Sequence, residues 1–219
     1  MEVNQMALYE KKYCWSLLLR IWHWTFALSI VALVITGFYI HFPWTNTLIE
    51  GSASWPMARA RFIHFVAGYA FSCAIFLRAY LYIFGNTQER ISDILPINKR
   101  NIKNLGETLL LYTYTTDEHN GRFGHNVLAG SSYLLTFCAA IAMIGTGFFL
   151  LFPEVGFISS WGGALFQTQA TARFVHHIIM WWFMIFAVIH LYLCIWNDIR
   201  FPEGLISSIF TGVKFTHKK

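Results

Sequence analysis

The spacing of histidines in the last apolar run gives the first indication of chemistry in this sequence. His176 and His190 are fourteen residues apart. In an α-helix this separation is about 1400°, only about 40° short of four turns, so both side chains share a face about 21 Å apart along the axis. His177 is thirteen residues from His190, which places those two side chains about 140° apart. His176 is therefore the better partner for His190 on that face.

Four long apolar runs contain these histidines and the others that lie in apolar sequence. The runs cover about 17–40, 62–84, 127–152 and 174–196. A helix needs about 20 residues to cross the hydrocarbon core, and backbone groups in lipid have to pair within the segment. The chain is 56% hydrophobic and 12% charged, which is too apolar for a soluble domain of this size. We predict an all-α fold, an integral membrane four-helix bundle in which residues 1–219 form a single domain.

The first apolar run follows Lys11 and Lys12, as the core of a signal peptide would. It is longer than the roughly 7–15 residues of a typical signal core, and it contains His23. We therefore interpret it as a retained membrane span.

The distribution of basic residues predicts the side of the membrane that each loop faces. Twelve Lys and Arg residues lie in the N-terminal segment, the middle loop and the tail, against three in the other two loops. Cytoplasmic loops carry the excess of basic residues. Both termini and the middle loop are therefore expected in the cytoplasm, and we attribute the net charge of +5 to this topology and expect no nucleic acid partner. The twelve are Lys11, Lys12, Arg20, Arg90, Lys99, Arg100, Lys103, Arg122, Arg200, Lys214, Lys218 and Lys219, and the three are Arg59, Arg61 and Arg173.

Predicted depth in the membrane sorts four histidines into two pairs. His23 and His190 fall near the cytoplasmic side and are called the inner pair; His64 and His176 fall near the opposite side and are called the outer pair. Two pairs of imidazoles at two depths form the ligand set of two bis-histidine haems b. A zinc site would need more ligands converging on one point. Taken singly, each histidine is equally well explained as a packed side chain, so the prediction rests on their joint arrangement.

Three arginines each precede one of these histidines by one helical turn, namely Arg20, Arg61 and Arg173. Such an arginine can make a charge-assisted contact with a haem propionate. The alternative is that these side chains extend to the lipid headgroups. Both explanations stay open.

Arg78 is an ionisable residue inside a span, which makes it a functional candidate. It follows His64 by fourteen residues, so it lies on the same face at the depth of the inner pair. Gly37 follows His23 by fourteen residues, and Gly68 follows His64 by one turn. Both glycines would leave room for a flat macrocycle, with close helix packing as the competing explanation.

His125 and Asn126 lie just before the third run, on the predicted cytoplasmic side. A histidine near its ordinary pKa of about 6.5 can exchange both hydrogen bonds and protons with a quinone. Asn126 is a second candidate for the quinone site, but it is equally explained as the cap of the third helix. His41, His119 and His217 are expected to be solvated.

The remaining features are assigned to structure. The cysteines form no CxxCH motif, so covalent haem attachment is not indicated, and we interpret them as small core residues. An apolar patch at 101–114 predicts a short helix at the membrane surface. The outer loop, 153–172, is expected to contain one further short element. The four cysteines are Cys14, Cys73, Cys138 and Cys194.

Taken together, these motifs resemble the b-type cytochrome subunit of membrane-bound nickel–iron hydrogenases, a family related to the gamma subunit of formate dehydrogenase. The resemblance covers nearly the whole chain. One departure is Val127, where many relatives have proline. The matching segments are RIWHW at 20–24, RFIHF at 61–65, Gly124-His125-Asn126, the pair His176 and His190, and a tail with Asn197-Asp198-Ile199, Ile206-Ser207-Ser208 and Gly212.

The resemblance implies partners that the residues alone do not reveal. It implies an iron–sulfur small subunit on the periplasmic face of a bacterial inner membrane, together with the nickel–iron large subunit. Electrons from hydrogen would reach the outer haem, pass to the inner haem and reduce menaquinone or ubiquinone near the cytoplasmic side. The chain lacks the cysteine pairs that a nickel–iron centre or an iron–sulfur cluster requires. We therefore expect no hydrogen-activating site of its own.

Two alternatives stay open. The chain can instead be the cytochrome b subunit of another quinone-linked dehydrogenase, such as formate or thiosulfate dehydrogenase, although the tail motif favours hydrogenase. A transporter with a histidine-lined metal path is a different class. It would need polar residues along the spans, which are aromatic and aliphatic apart from the His and Arg set.

Overall fold

The structure is a computed structural model that describes residues 9–45, 55–117, 122–201 and 203–217. Within these residues, four helices are long and apolar enough to cross a membrane, which confirms the four predicted spans. The second and fourth helices begin earlier than predicted because their first turns are not apolar. Pro56 opens the second, where its fixed φ and missing N–H are well tolerated. The helices are α1 (Leu17–His41), α2 (Pro56–Phe84), α5 (Val127–Leu151) and α7 (Gln169–Arg200).

Shorter elements fill the connections and the chain ends. The helix α4 overlaps most of the patch predicted to be helical, 101–114, but begins two residues earlier, and α6 is the element expected in the outer loop. The strands were not predicted, because each is only five residues long and pairs with the opposite end of the chain. The short elements are β1 (Tyr9–Tyr13), α3 (Ile91–Ile94), α4 (Lys99–Tyr112), α6 (Gly156–Phe166), α8 (Leu205–Thr211) and β2 (Val213–His217).

The two ends of the chain are paired with each other. Strands β1 and β2 are antiparallel, with Tyr9 opposite His217 and Tyr13 opposite Val213. Directly paired strands have to lie on the same side of a membrane, because neighbouring strands are only about 5 Å apart. The pairing agrees with the predicted topology in this respect, while the cytoplasmic side itself stays a prediction.

The C-terminal tail holds the segment just before α1 through backbone and side-chain hydrogen bonds. The indole of Trp15 donates to the hydroxyl of Ser208 over 3.0 Å, and the amide of Cys14 donates to the carbonyl of Gly212 over 2.8 Å. Gly212 has a φ of 82°, and a Cβ there would lie 2.8 Å from the carbonyl oxygen of Trp15. Glycine suits this position because it accepts a positive φ without strain.

Contacts within the described residues divide the chain into two compact units. The inner-pair unit comprises described residues within 1–23, 77–137 and 186–219, and the outer-pair unit those within 24–76 and 138–185. Each of the four long helices contributes residues to both units. The expectation of one domain therefore stays a prediction.

The surface of α4 is the reverse of that of a helix in a water-soluble protein. Its buried face is mainly polar, whereas large apolar side chains are exposed. A helix that turns its apolar residues outward can insert them into the lipid interface. The expected location at the membrane surface is consistent with this face and stays a prediction. The buried residues are Asn101, Asn104, Thr108 and Leu111, and the exposed ones include Ile102, Leu109 and Leu110.

The cysteines are free and differ in burial. Cys14 is buried, as predicted, and burial raises the pKa of its thiol to about 12, so the reactive thiolate is suppressed. The prediction of core positions is wrong for Cys73 and Cys138, which are exposed on their helices. A helix that is apolar all round gives no sequence signal of which face is buried.

Candidate functional site

The four predicted ligand histidines form the two predicted pairs. The ring centroids of His64 and His176 are 6.4 Å apart, with 51° between the ring planes. His23 and His190 have the same separation, 6.4 Å, and the same angle, 51°. Two imidazoles that bind one metal ion through bonds of about 2 Å have ring centroids roughly 6 Å apart. Both pairs therefore fit a single iron between their rings, the arrangement of a bis-histidine haem.

Each histidine of the outer pair contacts a threonine that the sequence analysis did not select. The Nδ1 atom of His64 is 2.8 Å from the hydroxyl of Thr36 on α1. The Nδ1 atom of His176 is 2.8 Å from the hydroxyl of Thr146 on α5. A repeated Thr-Gly-Phe sequence, at 36–38 and 146–148, was the available signal.

Glycines follow both threonines and face the same imidazoles. A Cβ at Gly37 would lie 3.5 Å from the Cε1 atom of His64, and a Cβ at Gly147 would lie 3.5 Å from the Cε1 atom of His176. Gly37 is therefore beside His64 of the outer pair, while its role in leaving room for a macrocycle stays a prediction. A Cβ at Gly68 would meet no described atom within 4 Å, so this position leaves space rather than a helix contact.

The inner pair is surrounded mainly by aromatic rings. Phe186 stacks on His190 with centroids 5.6 Å apart and 6° between the planes. Tyr133 contacts His190 edge-on at 5.8 Å and contacts His125 edge-on at 4.9 Å. The thiol of Cys194 is 3.7 Å from the Nε2 atom of His190. Tyr133 thus connects the predicted quinone residue His125 to a predicted haem ligand.

Arg78 belongs to the same unit. It is itself a buried cation, with 2% of its surface exposed. Its guanidinium carbon is 4.8 Å from the ring centroid of Trp22 and 4.1 Å from that of Tyr82. Its Nε and Nη1 atoms are buried and have no hydrogen-bond acceptor among the described residues. Buried donors without an acceptor are costly. A haem propionate or a quinone carbonyl would satisfy them, so Arg78 fits an acceptor group beside the inner pair.

The three arginines that precede predicted ligand histidines differ from one another. Arg20 donates to the carbonyl of Phe210 over 2.5 Å, which ties it to α8. Arg61 and Arg173 are exposed. For these two, a contact with a propionate and an extension to the headgroups both stay open.

His125 lies between two aromatic rings, 4.4 Å from Trp15 and 4.9 Å from Tyr133. Burial, and then the nearby cation of Arg78, lower the pKa of His125 well below 6.5. The expectation of an ordinary pKa was wrong, because the sequence does not reveal how deeply the ring is buried. His125 is therefore a neutral imidazole at pH 7, with its Nδ1 atom unpaired within the described structure.

Asn126 is engaged in holding the start of α5. Its side-chain oxygen accepts from the amide of Ala129 over 2.8 Å, and its amide donates to the hydroxyl of Tyr112 over 3.2 Å. The first of these is the bond of a helix cap. The neighbouring amide of Val127 donates to the side chain of Asn104 over 2.9 Å, a bond that proline could not make.

The histidines outside the two pairs have other surroundings. His177 packs on His41, with centroids 4.9 Å apart, and its Nε2 atom accepts from the indole of Trp181 over 3.2 Å. His41 is exposed, as expected. His119, and the side chain of His217, lie outside the described residues.

Comparison with known proteins gives a consistent set of relatives. A family model described as prokaryotic cytochrome b561 matches residues 14–212. A probable Ni/Fe-hydrogenase B-type cytochrome subunit of Cupriavidus necator is 31% identical, covering 92% of this chain and 86% of that protein. The protein of the same name from Azotobacter vinelandii is 32% identical, with coverages of 91% and 87%. A probable Ni/Fe-hydrogenase 1 B-type cytochrome subunit of Escherichia coli is 26% identical, with coverages of 91% and 88%. Because the family model spans most of the sequence, this chain belongs to the prokaryotic cytochrome b561 family.

Proposed function

We propose that this chain is the membrane cytochrome b subunit of a respiratory nickel–iron hydrogenase. In this role it carries electrons from an iron–sulfur subunit through two haems b to a quinone. The single observation that carries the haem assignment is the equal 6.4 Å separation of the two histidine pairs. The hydrogenase assignment is supported by relatives of that name, such as the Cupriavidus necator protein that is 31% identical to this chain. Haem b, when bound, supplies one-electron transfer between two iron oxidation states.

The ligand roles follow the two pairs. His23 and His190 are proposed to bind the iron of the inner haem, and His64 and His176 that of the outer haem. Around them, side chains are proposed to hold propionates or to leave room for the macrocycle. The proposed propionate partners are Arg20, Arg61, Arg78 and Arg173, and the proposed space-giving residues are Gly37 and Gly68.

The quinone is proposed to bind beside His125 in the inner-pair unit. A neutral imidazole offers one donor and one acceptor, which suits a carbonyl that becomes a hydroxyl on reduction. The edge contacts of Tyr133 with both His125 and His190 support a quinone position close to the inner haem. Because of its lowered pKa, His125 is in the neutral form at pH 7 and has no additional proton to give. Protons for the quinone are therefore proposed to come from the cytoplasm. Asn126 contributes by capping α5 and so holding the adjacent His125.

The proposed location is the inner membrane of a bacterium, with both termini in the cytoplasm. The pairing of β1 with β2 supports a common side for the termini, and the excess of basic residues supports the cytoplasm as that side. The iron–sulfur small subunit and the nickel–iron large subunit are proposed to lie on the periplasmic side, and the quinone is menaquinone or ubiquinone.

Haem content tests the proposal. We expect two haems b per chain in the purified complex, both extractable with acidified acetone, because the sequence has no CxxCH motif. A reduced-minus-oxidised spectrum should show b-type bands, and the hydrogenase subunits should copurify. One haem per chain in undamaged protein would contradict the two-haem assignment. Copurification of a formate dehydrogenase instead would contradict the hydrogenase assignment and leave the haem assignment intact.

A further inference from the structure

The outer pair has a matched hydrogen-bond partner for each imidazole. Thr36 is 2.8 Å from the Nδ1 atom of His64, and Thr146 is 2.8 Å from the Nδ1 atom of His176. The two threonines lie on different helices, and both belong to the outer-pair unit. The same contact therefore occurs twice in one site.

The direction of each hydrogen bond follows from the second contact of each threonine. The hydroxyl of Thr36 donates to the carbonyl of Ala32 over 2.6 Å. The hydroxyl of Thr146 donates to the carbonyl of Met143 over 2.9 Å. A hydroxyl has a single proton, so each oxygen accepts from the imidazole. The proton of each ring is thus on Nδ1, and the lone pair on Nε2 is free for a metal.

We infer that Thr36 and Thr146 are positioning residues of the proposed outer haem, which fix the tautomer and rotation of both histidines that would bind it and lower the redox potential of the iron. A hydrogen bond from the second nitrogen makes a histidine ligand more basic, and a more basic ligand stabilises ferric over ferrous iron. A lower potential at the outer haem favours onward transfer of its electron. This inference rests on the proposed outer haem.

The following glycines support the same role. Gly37 and Gly147 place no side chain beside the ring carbons that lie next to the bonded nitrogens, since a Cβ there would already be 3.5 Å from each Cε1 atom. Each helix thus presents a hydroxyl to one edge of the imidazole and keeps the adjoining space open. A Cβ at either position would be in ordinary contact with the ring, so a side chain larger than that of alanine would have to occupy the space beside the imidazole.

Valine substitutions test the inference because they remove the hydroxyl and keep the branched shape. In the complete complex, we expect Thr36→Val and Thr146→Val each to retain both haems. Each should shift the ferric–ferrous equilibrium of the outer haem roughly tenfold toward ferrous, which is about 59 mV for one electron. The shift is measured by redox titration, with the ferric EPR spectrum as a second readout. The outer haem is identified as the signal that His64→Ala removes.

Two matched variants separate the hydroxyl from other effects of substitution. Thr36→Ser keeps the hydroxyl and should restore the original potential. Ser29→Ala removes another buried hydroxyl of α1, which donates to the carbonyl of Thr25 over 2.7 Å, and should leave the outer potential unchanged.

The remaining outcomes are also decisive. An unchanged outer potential and EPR spectrum in the Thr36→Val/Thr146→Val double variant, with both haems present, would overturn the inference. Loss of the outer haem in Thr36→Val but not in Thr36→Ser would support it, whereas loss in both would overturn it. Absence of a second haem from the unmodified complex would overturn the proposed function instead.

Discussion

The two histidine pairs share one internal geometry and have different surroundings. Both have ring centroids 6.4 Å apart and planes at 51°. Beside the outer pair, the hydroxyls of Thr36 and Thr146 are already bonded to the imidazoles and to their own helices. Beside the inner pair stand aromatic rings and the buried cation of Arg78, which keeps donors without an acceptor in the described structure.

This difference supports the proposal that the outer pair only holds a haem, whereas the inner pair also passes electrons to a quinone. Because the rings of the two pairs are equally far apart, both pairs are expected to bind iron in the same way. The ring separation therefore does not distinguish the two sites. Neutral hydrogen bonds hold the imidazoles of the outer pair, whereas Arg78 and His125 keep polar atoms without a partner in the described structure and can bind an oxygen acceptor or donor. The inner-pair unit thus has the groups that a quinone requires, in agreement with the proposed direction of electron flow.

The largest expected effect is the loss of one haem when an outer ligand is removed. His176→Ala should lose the outer haem, whereas His177→Ala should keep both haems, because His177 packs against His41 and Trp181 instead. The measurement is haem content per chain, with the reduced-minus-oxidised spectrum. Loss of the outer haem in His177→Ala but not in His176→Ala would show that the ligand has been assigned to the wrong histidine.

How far the sequence predicts this site is clear from particular residues. The fourteen-residue spacing of His176 and His190 predicts a shared face from helix geometry alone, and the apolar runs predict the four spans. Thr36 was not predicted, because a threonine in an apolar helix usually bonds its own backbone, and its contact with His64 depends on how α1 packs against α2. Contacts between distant segments have no periodic signal.

Long-range contacts also determine the pKa of His125 and the pairing of the two chain ends, and neither could be predicted from the sequence. The pKa of His125 depends on its burial and on the cation of Arg78, 47 residues away in the sequence. The pairing of β1 with β2 joins segments about two hundred residues apart, and strands of five residues carry little pattern of their own. Where a property depends on long-range packing, the sequence identifies candidate residues but not the residues that they contact.

The second largest effect is expected on the rate at which the complex reduces quinone. His125→Ala should reduce hydrogen-to-quinone turnover by about tenfold or more, because a positioned hydrogen-bonding group is removed. Both haem signals, and hydrogenase activity with artificial dyes, should persist. Stopped-flow spectra should show both haems accumulating in the reduced state.

Controls for this variant separate a direct role from a structural one. His125→Gln keeps a neutral donor and acceptor and should restore part of the turnover. His41→Ala removes an exposed histidine of the outer-pair unit and should leave quinone turnover unchanged. Normal quinone turnover in His125→Ala would remove this residue from the mechanism, and loss of a haem would show that it is structural.

The smallest expected effect is a shift in the potential of the inner haem when the cation at Arg78 is removed. Positive charge near a haem favours the ferrous state, which carries one positive charge fewer than the ferric state. Removing a partly buried charge interaction of on the order of 1–2 kcal/mol should lower the inner potential by about 40–90 mV for one electron. Arg78→Met is the appropriate change, since it keeps an unbranched side chain and removes the guanidinium that lies over the rings of Trp22 and Tyr82. Arg78→Lys keeps the charge, so the potential of the inner haem should stay close to its original value.

Redox titration of the complex measures both haems at once, so the outer haem is an internal control. Equal shifts in the two haems, or the same shift in Arg78→Lys as in Arg78→Met, would show that Arg78 does not distinguish the inner pair by its charge.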